Sequence, residues 1–532
     1  MPPLDTTAES NPPGTVHLVD LSQRGLPSHG LNNPSDVLLI PTPSSDPDDP
    51  LNWSTRRKLL ATACTSIYTL AIGMANSVVY SILVPISASS NLSSLSCPPF
   101  ALQYGKRPTY LISTIGVLGM AMWSPYCTTS GQWLAKSIIG GFFAAPVEGL
   151  IEASVTDIFF THQRGTYMGV YALALSSSNA IAPIIFGFVN DGQGWRWCFY
   201  WSAIFCGATL LFLFFALEES NYERKYDGRA PPETSGSSIS HGQQEKPPPE
   251  LIASGHPAPI TSSEPSLSRR SYLQKLSLVN ERRDLSRGYQ IMGHRVITSV
   301  KLVTWPCVFY SGFSNGATLV WNNVMNTTAS AILSSPPYSF QASFVGLFYI
   351  AGLVGVILCF LCCSFTSDML AISLSRRRNG IYEPEYRLWL FSIASVFLPT
   401  GLILWGVGAS HGIHWFGLAV ASMLVGFATT SGILISTTYL VDCYRYLAAD
   451  GLTSVMLIRN TMSFAIGYGI TPWVDGMGVR DCFVTAACVS FVASLLWIPM
   501  TWWGKRFRRR SQESYQRLLE GQATLGVVHR AF

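Results

Sequence analysis

Charged residues are scarce in this chain of 532 residues. Asp, Glu, Lys and Arg make up 12% of the sequence, whereas about 25% is usual for soluble domains. Hydrophobic residues make up 48%, and they come in blocks, several of which reach the roughly 20 residues that a helix needs to cross about 30 Å of hydrocarbon. This composition excludes an ordinary soluble protein and predicts an all-α polytopic membrane protein.

The sequence also lacks the motifs of an ATP-driven pump or an enzyme. It contains no G-x-x-x-x-G-K-S/T loop, the segment that cradles phosphates in nucleotide-driven machines. His162 stands among basic and aromatic residues without the spacing of metal ligands. We therefore expect no enzymatic activity, no cofactor and no bound metal. The net charge of +5 reflects basic residues in loops beside the membrane and does not require a nucleic-acid partner.

One membrane span is missing from an otherwise regular pattern. The first apolar run covers about 59–86, and the segment 87–103 that follows contains no run long enough to span. Basic residues mark the cytoplasmic side of a membrane protein. Residues 56–58 and the pair Lys106 and Arg107 are both basic, so the chain must leave the cytoplasm and return between them. The first apolar run supplies only the outward crossing. Charge therefore predicts twelve helices where about eleven are visible, with helix 2 shortened or missing in the protein or in its gene model. The remaining runs are about 110–126, 132–155, 167–189, 197–217, 300–324, 343–365, 388–407, 415–440, 452–473 and 483–503.

Polar segments rich in Pro and Ser divide the chain into two membrane halves. We predict a disordered cytoplasmic tail over 1–58 without a signal peptide, and a largely disordered cytoplasmic linker over 218–299. They flank transmembrane bundles at 59–217 and 300–503, and a second cytoplasmic tail covers 504–532. Two halves of about six helices are typical of transporters that bind substrate near the midplane, between the halves.

Several motifs resemble one family of membrane proteins. They are DPLNWS, YGKRPTYL, GGFFAAPVEGLIEASVTDIFFTHQRG, NAIAPIIFGFVNDGQGWRW, RRRNGIYEPEYRL and LIRNTMSFAIGYGITPW. Together they resemble fungal major facilitator superfamily (MFS) transporters of the drug:proton antiporter type. The segments RNGIYEPEYRL and RNTMSFAIGYGITPW are most similar to the branch that includes the yeast low-selectivity cation and polyamine carrier.

This resemblance implies a fold, a function and a location. The fold is the twelve-helix major facilitator fold with two bundles. The function is alternating-access transport of a small-molecule substrate across the lipid bilayer, driven by protons, by a monomer in the plasma membrane with both termini in the cytoplasm. The substrate classes implied are drugs, secondary metabolites and organic cations.

The sequence departs from the family's pattern in three places. The acidic residue usual before the basic pair of the first inside loop is replaced by Leu102 and Gln103, so that only Gly105, Lys106 and Arg107 match. Lys136 stands where helix 4 usually has arginine, and it keeps the charge without the planar guanidinium fork. The antiporter pattern of helix 5 is represented by Asn179, Pro183 and Gly187, with Ala182 in place of glycine.

Two carboxylates interrupt the apolar run of helix 4. Glu148 and Glu152 are four residues apart and share a helix face, whereas Lys136 lies about 18 Å from Glu148 along the axis and cannot pair with it. A low-dielectric site favours the neutral form of a carboxyl group, which makes Glu148 a candidate proton carrier. The alternative is a structural carboxylate bonded to helix ends or to Lys106, Arg107 and Arg164.

A cytoplasmic gate is predicted where the basic loop meets the inner end of helix 4. Glu152, Asp157 and Arg164 fall near that end, so a structural role in this gate is favoured for them over proton transfer. The gate therefore comprises Gly105, Lys106, Arg107, Glu152, Asp157 and Arg164.

The second half contributes further polar groups inside apolar runs. Arg459 must face a cavity or a partner, and a substrate or coupling role is weighed against a pairing with an acidic group of another helix. Trp321 and Asn322, with Asn323 and Asn326, form a cluster near the outer end of helix 7 that could line the cavity or simply join helices. The candidate proton and substrate site is therefore Glu148, Lys136, Asn179, Trp321, Asn322, Arg459 and Asn460.

Two sequons on the predicted outer side and two alternative functions remain to be considered. Asn91 and Asn326 stand in N-x-S/T sequences on the predicted outer side and could be glycosylated. The main hypothesis is a secondary transporter for a drug, a secondary metabolite or an organic cation, probed by uptake or efflux under a proton gradient. The alternatives are a transport-inactive or truncated paralogue, suggested by the short segment 87–103, and an importer of cations or polyamines instead of an exporter.

Overall fold

The computed structural model describes residues 12–18, 40–41, 49–78, 105–220, 226–227, 288–524 and 530–531. Nearly all of the regular structure is helical. The first half contains α1 (Thr55–Ser77), α2 (Lys106–Trp123), α3 (Ser130–Ala144), α4 (Pro146–Ile158), α5 (Arg164–Gln193) and α6 (Trp195–Ala216).

The second half begins with α7 (Gly288–Leu302), which is bent by 81° from the helix that follows. The remaining helices are α8 (Pro306–Ser334), α9 (Ala342–Cys359), α10 (Phe365–Arg377), α11 (Phe391–Ser410), α12 (Trp415–Cys443), α13 (Ala448–Ser494) and α14 (Trp497–Thr524). A π-helical turn at Phe360–Ser364 joins α9 to α10, and Gly478, at φ 77°, separates two helical stretches within α13.

Local sequence signals explain where several helices begin. Thr129 and Gln132 form a reciprocal capping box at the start of α3. Pro146 opens α4, and Pro306 opens α8, at positions where the missing N–H would have no helical partner. Gly194, at φ 88°, lies between α5 and α6. These signals divide the predicted run 132–155 into the two helices α3 and α4.

Within the described residues, eight helical stretches are long and apolar enough to cross a membrane, and there are nine if α7 and α8 form one span. The all-α membrane fold predicted from composition is therefore confirmed. The shortened helix 2 was predicted over 87–103, which lies outside the described residues.

Three segments expected to be tail or linker have regular structure in part. Residues Val16–His17 form β1, which pairs antiparallel with β3 (Ile381–Tyr382), within the region predicted as a disordered tail. The α7 helix begins inside the predicted linker, and α14 continues through the predicted second tail to Thr524. The short strands β2 (Tyr226–Asp227) and β4 (Arg530–Ala531) pair in parallel. Residues 16–17 are ordered as a strand because a partner in the second half satisfies their backbone groups; disorder of the tail as a whole stays a prediction.

The two halves meet along a small number of helices. In the described chain, α5 packs against α9 and α12, and α4 packs against α13. Lys106, Arg107, Arg164, Arg387 and Arg508 are all buried at one end of these helices, which we call the basic end. This arrangement brings polar residues of α4 and α5 opposite those of α12 and α13.

Candidate functional site

An ion pair joins the two halves at the α4–α13 contact. Arg459 of α13 pairs with the carboxylate of Glu148 on α4. Asn460 accepts hydrogen bonds from the Arg459 guanidinium at 3.3 Å and directs its amide nitrogen towards Glu148 at 3.5 Å. The phenol of Tyr171 on α5 donates to the Glu148 carbonyl at 2.9 Å. Of the two options left open by the sequence, the structure thus has Arg459 paired with an acidic group of another helix.

Glu152 lies one helical turn beyond Glu148 and is buried, with 3% of its surface exposed. Its Oε1 accepts a hydrogen bond of 3.2 Å from Thr437 on α12. Its Oε2 is buried and has no hydrogen-bond partner among the described residues. A buried carboxylate with an unsatisfied oxygen is costly, whereas the protonated form of the group carries no net charge. Glu152 thus has the surroundings expected of a group that binds a proton.

The two members of the ion pair differ in their access to solvent. The Glu148 side chain is 28% exposed, whereas that of Arg459 is 3% exposed. The carboxylate is therefore the member of the pair that solvent reaches, and the guanidinium is enclosed by protein. Such a carboxylate attracts cations, and a cation bound to Glu148 would compete with Arg459 for the same group.

Two predicted site residues lie elsewhere in the first half. The Lys136 ammonium lies 5.4 Å from the ring centroids of both Trp133 and Phe199, so aromatic faces surround it. Asn179 accepts a hydrogen bond of 2.7 Å from Ser77 and joins α5 to α1 within one half. Neither contact involves Glu148 or Arg459.

The polar cluster that was predicted near the outer end of helix 7, Trp321, Asn322, Asn323 and Asn326, lies near the middle of α8. The reason is that α8 continues to Ser334, ten residues beyond the predicted end at 324. Trp321 is buried, and Asn322 is half-buried. A Cβ atom added to Gly316, five residues before Trp321, would lie 3.2 Å from the Arg459 Cα, so α8 packs closely behind the ion pair. The cluster therefore belongs to the helix that supports Arg459.

The residues of the predicted gate have partners in different parts of the structure. Lys106 pairs with Asp157 at 2.6 Å and donates to the Ala153 carbonyl at 3.1 Å, as expected for a latch between α2 and α4. The Arg107 guanidinium donates to the Phe214 carbonyl at 2.8 Å. Glu152, whose role in the gate stays a prediction, instead accepts a hydrogen bond from Thr437 of the other half. The reason is helical geometry, since the side chains of Glu152 and Asp157 point in different directions around α4.

The acidic residue missing before Lys106 has a counterpart in the tertiary structure. The Glu219 carboxylate accepts from the backbone N–H groups of Lys106 and Arg107, both at 3.1 Å, and caps the positive end of α2. Gly105 precedes this helix with φ 116°, and a Cβ atom at that position would lie 2.7 Å from Glu219 Oε2. The backbone angle favours glycine, and a side chain here would displace the Glu219 carboxylate that caps the helix.

A second network joins the halves at the basic end. Asp442 on α12 pairs with Arg164 on α5 at 3.5 Å and with Arg387 at 3.0 Å. Arg387 also donates to the Thr161 carbonyl at 3.2 Å and pairs with Asp368 at 3.0 Å. Arg164 was expected beside Lys106, but its partner Asp442 belongs to the other half.

Asp368 adds contacts between the halves in the same network. It accepts from the backbone N–H groups of Gly165 and Thr166 at 3.0 and 2.8 Å, at the positive N-terminus of α5. Tyr382 donates to Asp442 at 2.6 Å, and burial raises the pKa of this phenol well above its ordinary value, so that it remains a donor. The opposite end of the helices has a simpler described link, in which Asp191 accepts from the Ser343 N–H at 2.9 Å.

Sequence reasoning missed several of these residues. Asp368, Arg387 and Asp442 stand at the ends of apolar runs, where charged residues are common. The available signal was the motif RRRNGIYEPEYRL, in which Arg387 stands among acidic and basic residues. Thr437 and Tyr171 carried no signal, since hydroxyl groups inside membrane helices usually bond to their own backbone.

The two sequons differ in what the structure describes. Asn91 lies outside the described residues. Asn326 is half-buried within α8, and the hydroxyl of Thr328 in the same sequon is buried and donates to the carbonyls of Val324 and Met325 at 3.1 Å. Glycosylation at both asparagines remains a prediction.

Comparison with known sequences identifies a family and several fungal relatives. Residues 59–472 match the family model described as Major Facilitator Superfamily. An uncharacterised MFS-type transporter of Schizosaccharomyces pombe is 27% identical, with 95% of this chain and 94% of the relative covered. Protein HOL1 of Saccharomyces cerevisiae is 25% identical, with 90% and 92% covered. The MFS transporter fsa7 of a Fusarium strain is 24% identical, with 87% of each covered.

Solved structures share the fold. The human organic anion transporter MFSD10 matches with a TM-score of 0.53 at 13% identity, over 83% of this chain and 99% of that protein. The proton:xylose symporter XylE matches with a TM-score of 0.53 at 11% identity, over 84% and 97%. Both comparisons support the helical arrangement described above.

Proposed function

The chain belongs to the major facilitator superfamily, and from this membership we propose that it is a proton-coupled secondary transporter of small organic cations. Members of this family are multi-pass membrane transporters and not enzymes.

The observation that carries the proposal is the Glu148–Arg459 ion pair with Glu152 beside it. Charged groups within membrane helices are expensive, at about 2.5–3.5 kcal/mol each on insertion scales, and they are retained where they serve transport. This pair joins the two halves, which must move relative to each other during alternating access. A ligand that changes the partner of Glu148 therefore changes the contact between the halves.

The exposure of Glu148 favours a cationic substrate. An ammonium group that reaches the partly exposed carboxylate would replace Arg459 as its partner. An organic anion would have to reach Arg459, which is enclosed. The resemblance of two motifs to the branch of the yeast low-selectivity cation and polyamine carrier supports the same substrate class.

Glu152 is the proposed proton carrier, in place of Glu148. Its unsatisfied Oε2 and its burial favour the protonated state. Loss of the proton would create a second carboxylate next to Arg459, which would attract the guanidinium away from Glu148. Proton binding and cation binding would then be linked through Arg459, because each changes the charge that this residue faces.

The basic end is proposed to face the cytoplasm, in accordance with the positive-inside tendency of membrane proteins. Both termini would then be cytoplasmic, in a monomer of the plasma membrane. In this arrangement the network of Asp368, Arg387 and Asp442 closes the cytoplasmic side, and it must open for release or entry there. The drug:proton antiporter type implied by the motifs corresponds to export of the cation in exchange for protons, and import is the competing direction.

The test is transport by the purified full chain in liposomes that carry an imposed pH gradient. A radiolabelled linear diamine and a labelled quaternary ammonium compound are suitable cations, and a labelled carboxylate is the matched anion. Cation flux that increases at least fivefold with the gradient is expected, and its sign gives the direction. Flux that ignores the gradient would overturn the coupling, and transport of the carboxylate alone would overturn the substrate class.

A transport-inactive paralogue is the second candidate, because 87–103 contains no apolar run that could span. Transcript sequencing across the codons of this segment separates the two. An exon that restores about 20 apolar residues would show that the short segment is an error of the gene model. Complete absence of flux for all labelled compounds, with such an exon excluded, would favour the inactive paralogue.

A further inference from the structure

A short part of the N-terminal region lies on the basic end of the second half. We call Pro12–Leu18 the tail segment. Val16 pairs with Tyr382 and His17 with Ile381 in an antiparallel arrangement, and the Leu18 N–H donates to the Gly380 carbonyl at 2.9 Å. An edge that accepts a strand gives affinity through main-chain hydrogen bonds.

The tail segment also buries an apolar anchor. Leu18 is 1% exposed and packs with Ala371, Tyr382 and Tyr386 in a cluster separate from the main hydrophobic core. Burial of an apolar side chain stabilises such a contact through the hydrophobic effect. Main-chain pairing and this anchor together make the contact specific.

Arg508 makes polar contacts with the tail segment. Its Nη1 donates to the Pro13 carbonyl at 2.5 Å and to the Thr15 hydroxyl at 3.1 Å. Its Nε and Nη2 donate to Glu385 at 2.9 and 2.7 Å. The buried guanidinium is therefore shared between a carboxylate of the second half and the tail segment.

Gly14 brings the backbone of the tail segment against α12. Its φ is 84°, and a Cβ atom at this position would lie 2.4 Å from the Asp442 carbonyl oxygen. No other residue type fits without displacement of the segment. The tail segment thus covers the backbone of the same Asp442 whose carboxylate pairs with Arg164 and Arg387.

Two residues that contact the tail segment, Tyr382 and Asp442, also belong to the network between the halves. Tyr382, which pairs with Val16, holds the Asp442 carboxylate through its phenol. Ile40, which follows the tail segment in the N-terminal region, contacts the first half. Its carbonyl accepts from the N–H and the hydroxyl of Thr161, at 2.8 and 2.9 Å. The Thr161 carbonyl in turn accepts from Arg387.

We propose that the surface formed by Gly380, Tyr382, Tyr386, Asp442 and Arg508 is a docking site for the chain's own tail segment. Docking stabilises the state in which the halves are joined at the basic end. Docking holds Tyr382 and the Asp442 backbone in the positions that the network requires, so release of the tail segment favours opening. By linkage, opening also weakens docking. The covalent attachment keeps the segment at high effective concentration, so that a modest affinity suffices for high occupancy. The proposal does not depend on the identity of the substrate or on proton coupling.

The test uses the full chain with Gly14→Val, which clashes with Asp442, and Leu18→Asp, which places a charge in the apolar cluster. Gly192→Val is the matched control, since a Cβ atom there meets no other atom within 4 Å. Hydrogen–deuterium exchange at the Leu18 amide reports docking. A cysteine at buried Ser364, which lies between the halves against Gly169, reports opening by its rate of maleimide labelling. The exposed Cys362 and Cys488 are replaced by serine, and the same proteins without the reporter give the background.

We expect Gly14→Val to accelerate exchange at the Leu18 amide at least tenfold, and both tail variants to raise reporter labelling at least threefold. Gly192→Val should change neither. Unchanged exchange in Gly14→Val would overturn the docking site. Faster exchange with unchanged labelling would overturn the link to opening. Should Gly14→Val fail to fold, the labelling rate in Leu18→Asp decides the proposal in the same way. Loss of proton coupling or cation transport in the parent protein would leave these two measurements unaffected.

Discussion

Glu148 and Arg459 form an ion pair between the two halves of the protein, with the carboxylate partly open to solvent and the guanidinium enclosed. Each residue alone is a charge inside an apolar helix. Together they neutralise each other, and they join α4 of the first half to α13 of the second. The following predictions test this pair, its neighbour Glu152 and the network at the basic end.

Glu148→Gln is expected to reduce cation flux at least tenfold, because it removes the carboxylate that we propose as the substrate contact and leaves Arg459 buried without this partner. Breaking a fully buried pair costs about 3–5 kcal/mol. Since Glu148 is 28% exposed, we expect a smaller loss of stability, about 1–2 kcal/mol. Liposome flux and thermal unfolding of the same preparation provide the measurements. Glu513→Gln is the control, because Glu513 is 84% exposed in a surface pair, and equal flux in both variants would contradict the assignment of Glu148.

Glu152→Gln is expected to separate proton coupling from substrate binding. The amide oxygen can still accept from Thr437, but the side chain no longer exchanges a proton. Flux driven by a pH gradient should fall at least tenfold, while exchange of labelled for unlabelled cation without a gradient should stay within twofold of the parent. Loss of both activities to the same extent would indicate a structural role for Glu152.

Asp442→Asn is expected to open the basic end. The amide can still accept from Tyr382, but the ion pairs with Arg164 and Arg387 are lost. Labelling of the cysteine reporter at Ser364 should rise at least threefold. Asp191→Asn at the opposite end provides the matched control and should not raise labelling. A higher rate in the control than in Asp442→Asn would reverse the assignment of the closed end.

Gly105→Ala is expected to lower stability by about 1–2 kcal/mol, the usual cost of forcing a non-glycine residue into an unfavourable backbone conformation, and the contact with Glu219 adds to this cost. Gly119→Ala in the same helix meets no atom within 4 Å and should be neutral or stabilising, because alanine favours helices by about 1 kcal/mol over glycine. Thermal unfolding of the two purified variants compares them directly. Equal melting temperatures would show that the start of α2 tolerates a side chain.

Much of the architecture could be predicted from the sequence because its signals are local. Runs of apolar residues near 20 in length specify membrane helices, since each backbone group bonds within its own helix. Six motifs taken together suggested the major facilitator superfamily, which the match over 59–472 confirmed. The strand in the tail segment does not follow from such local signals, because its partner β3 lies far away in the chain.

The sequence by itself determined that Glu148, Glu152 and Arg459 lie in apolar surroundings and therefore need partners. Only the tertiary structure decided which partners they have. Glu148 pairs with Arg459, Glu152 accepts from Thr437, and Arg164 pairs with Asp442 of the other half. The physical reason is that the spacing of residues along a helix gives their direction around its own axis, whereas the pairing of charges depends on how separate helices are placed beside one another.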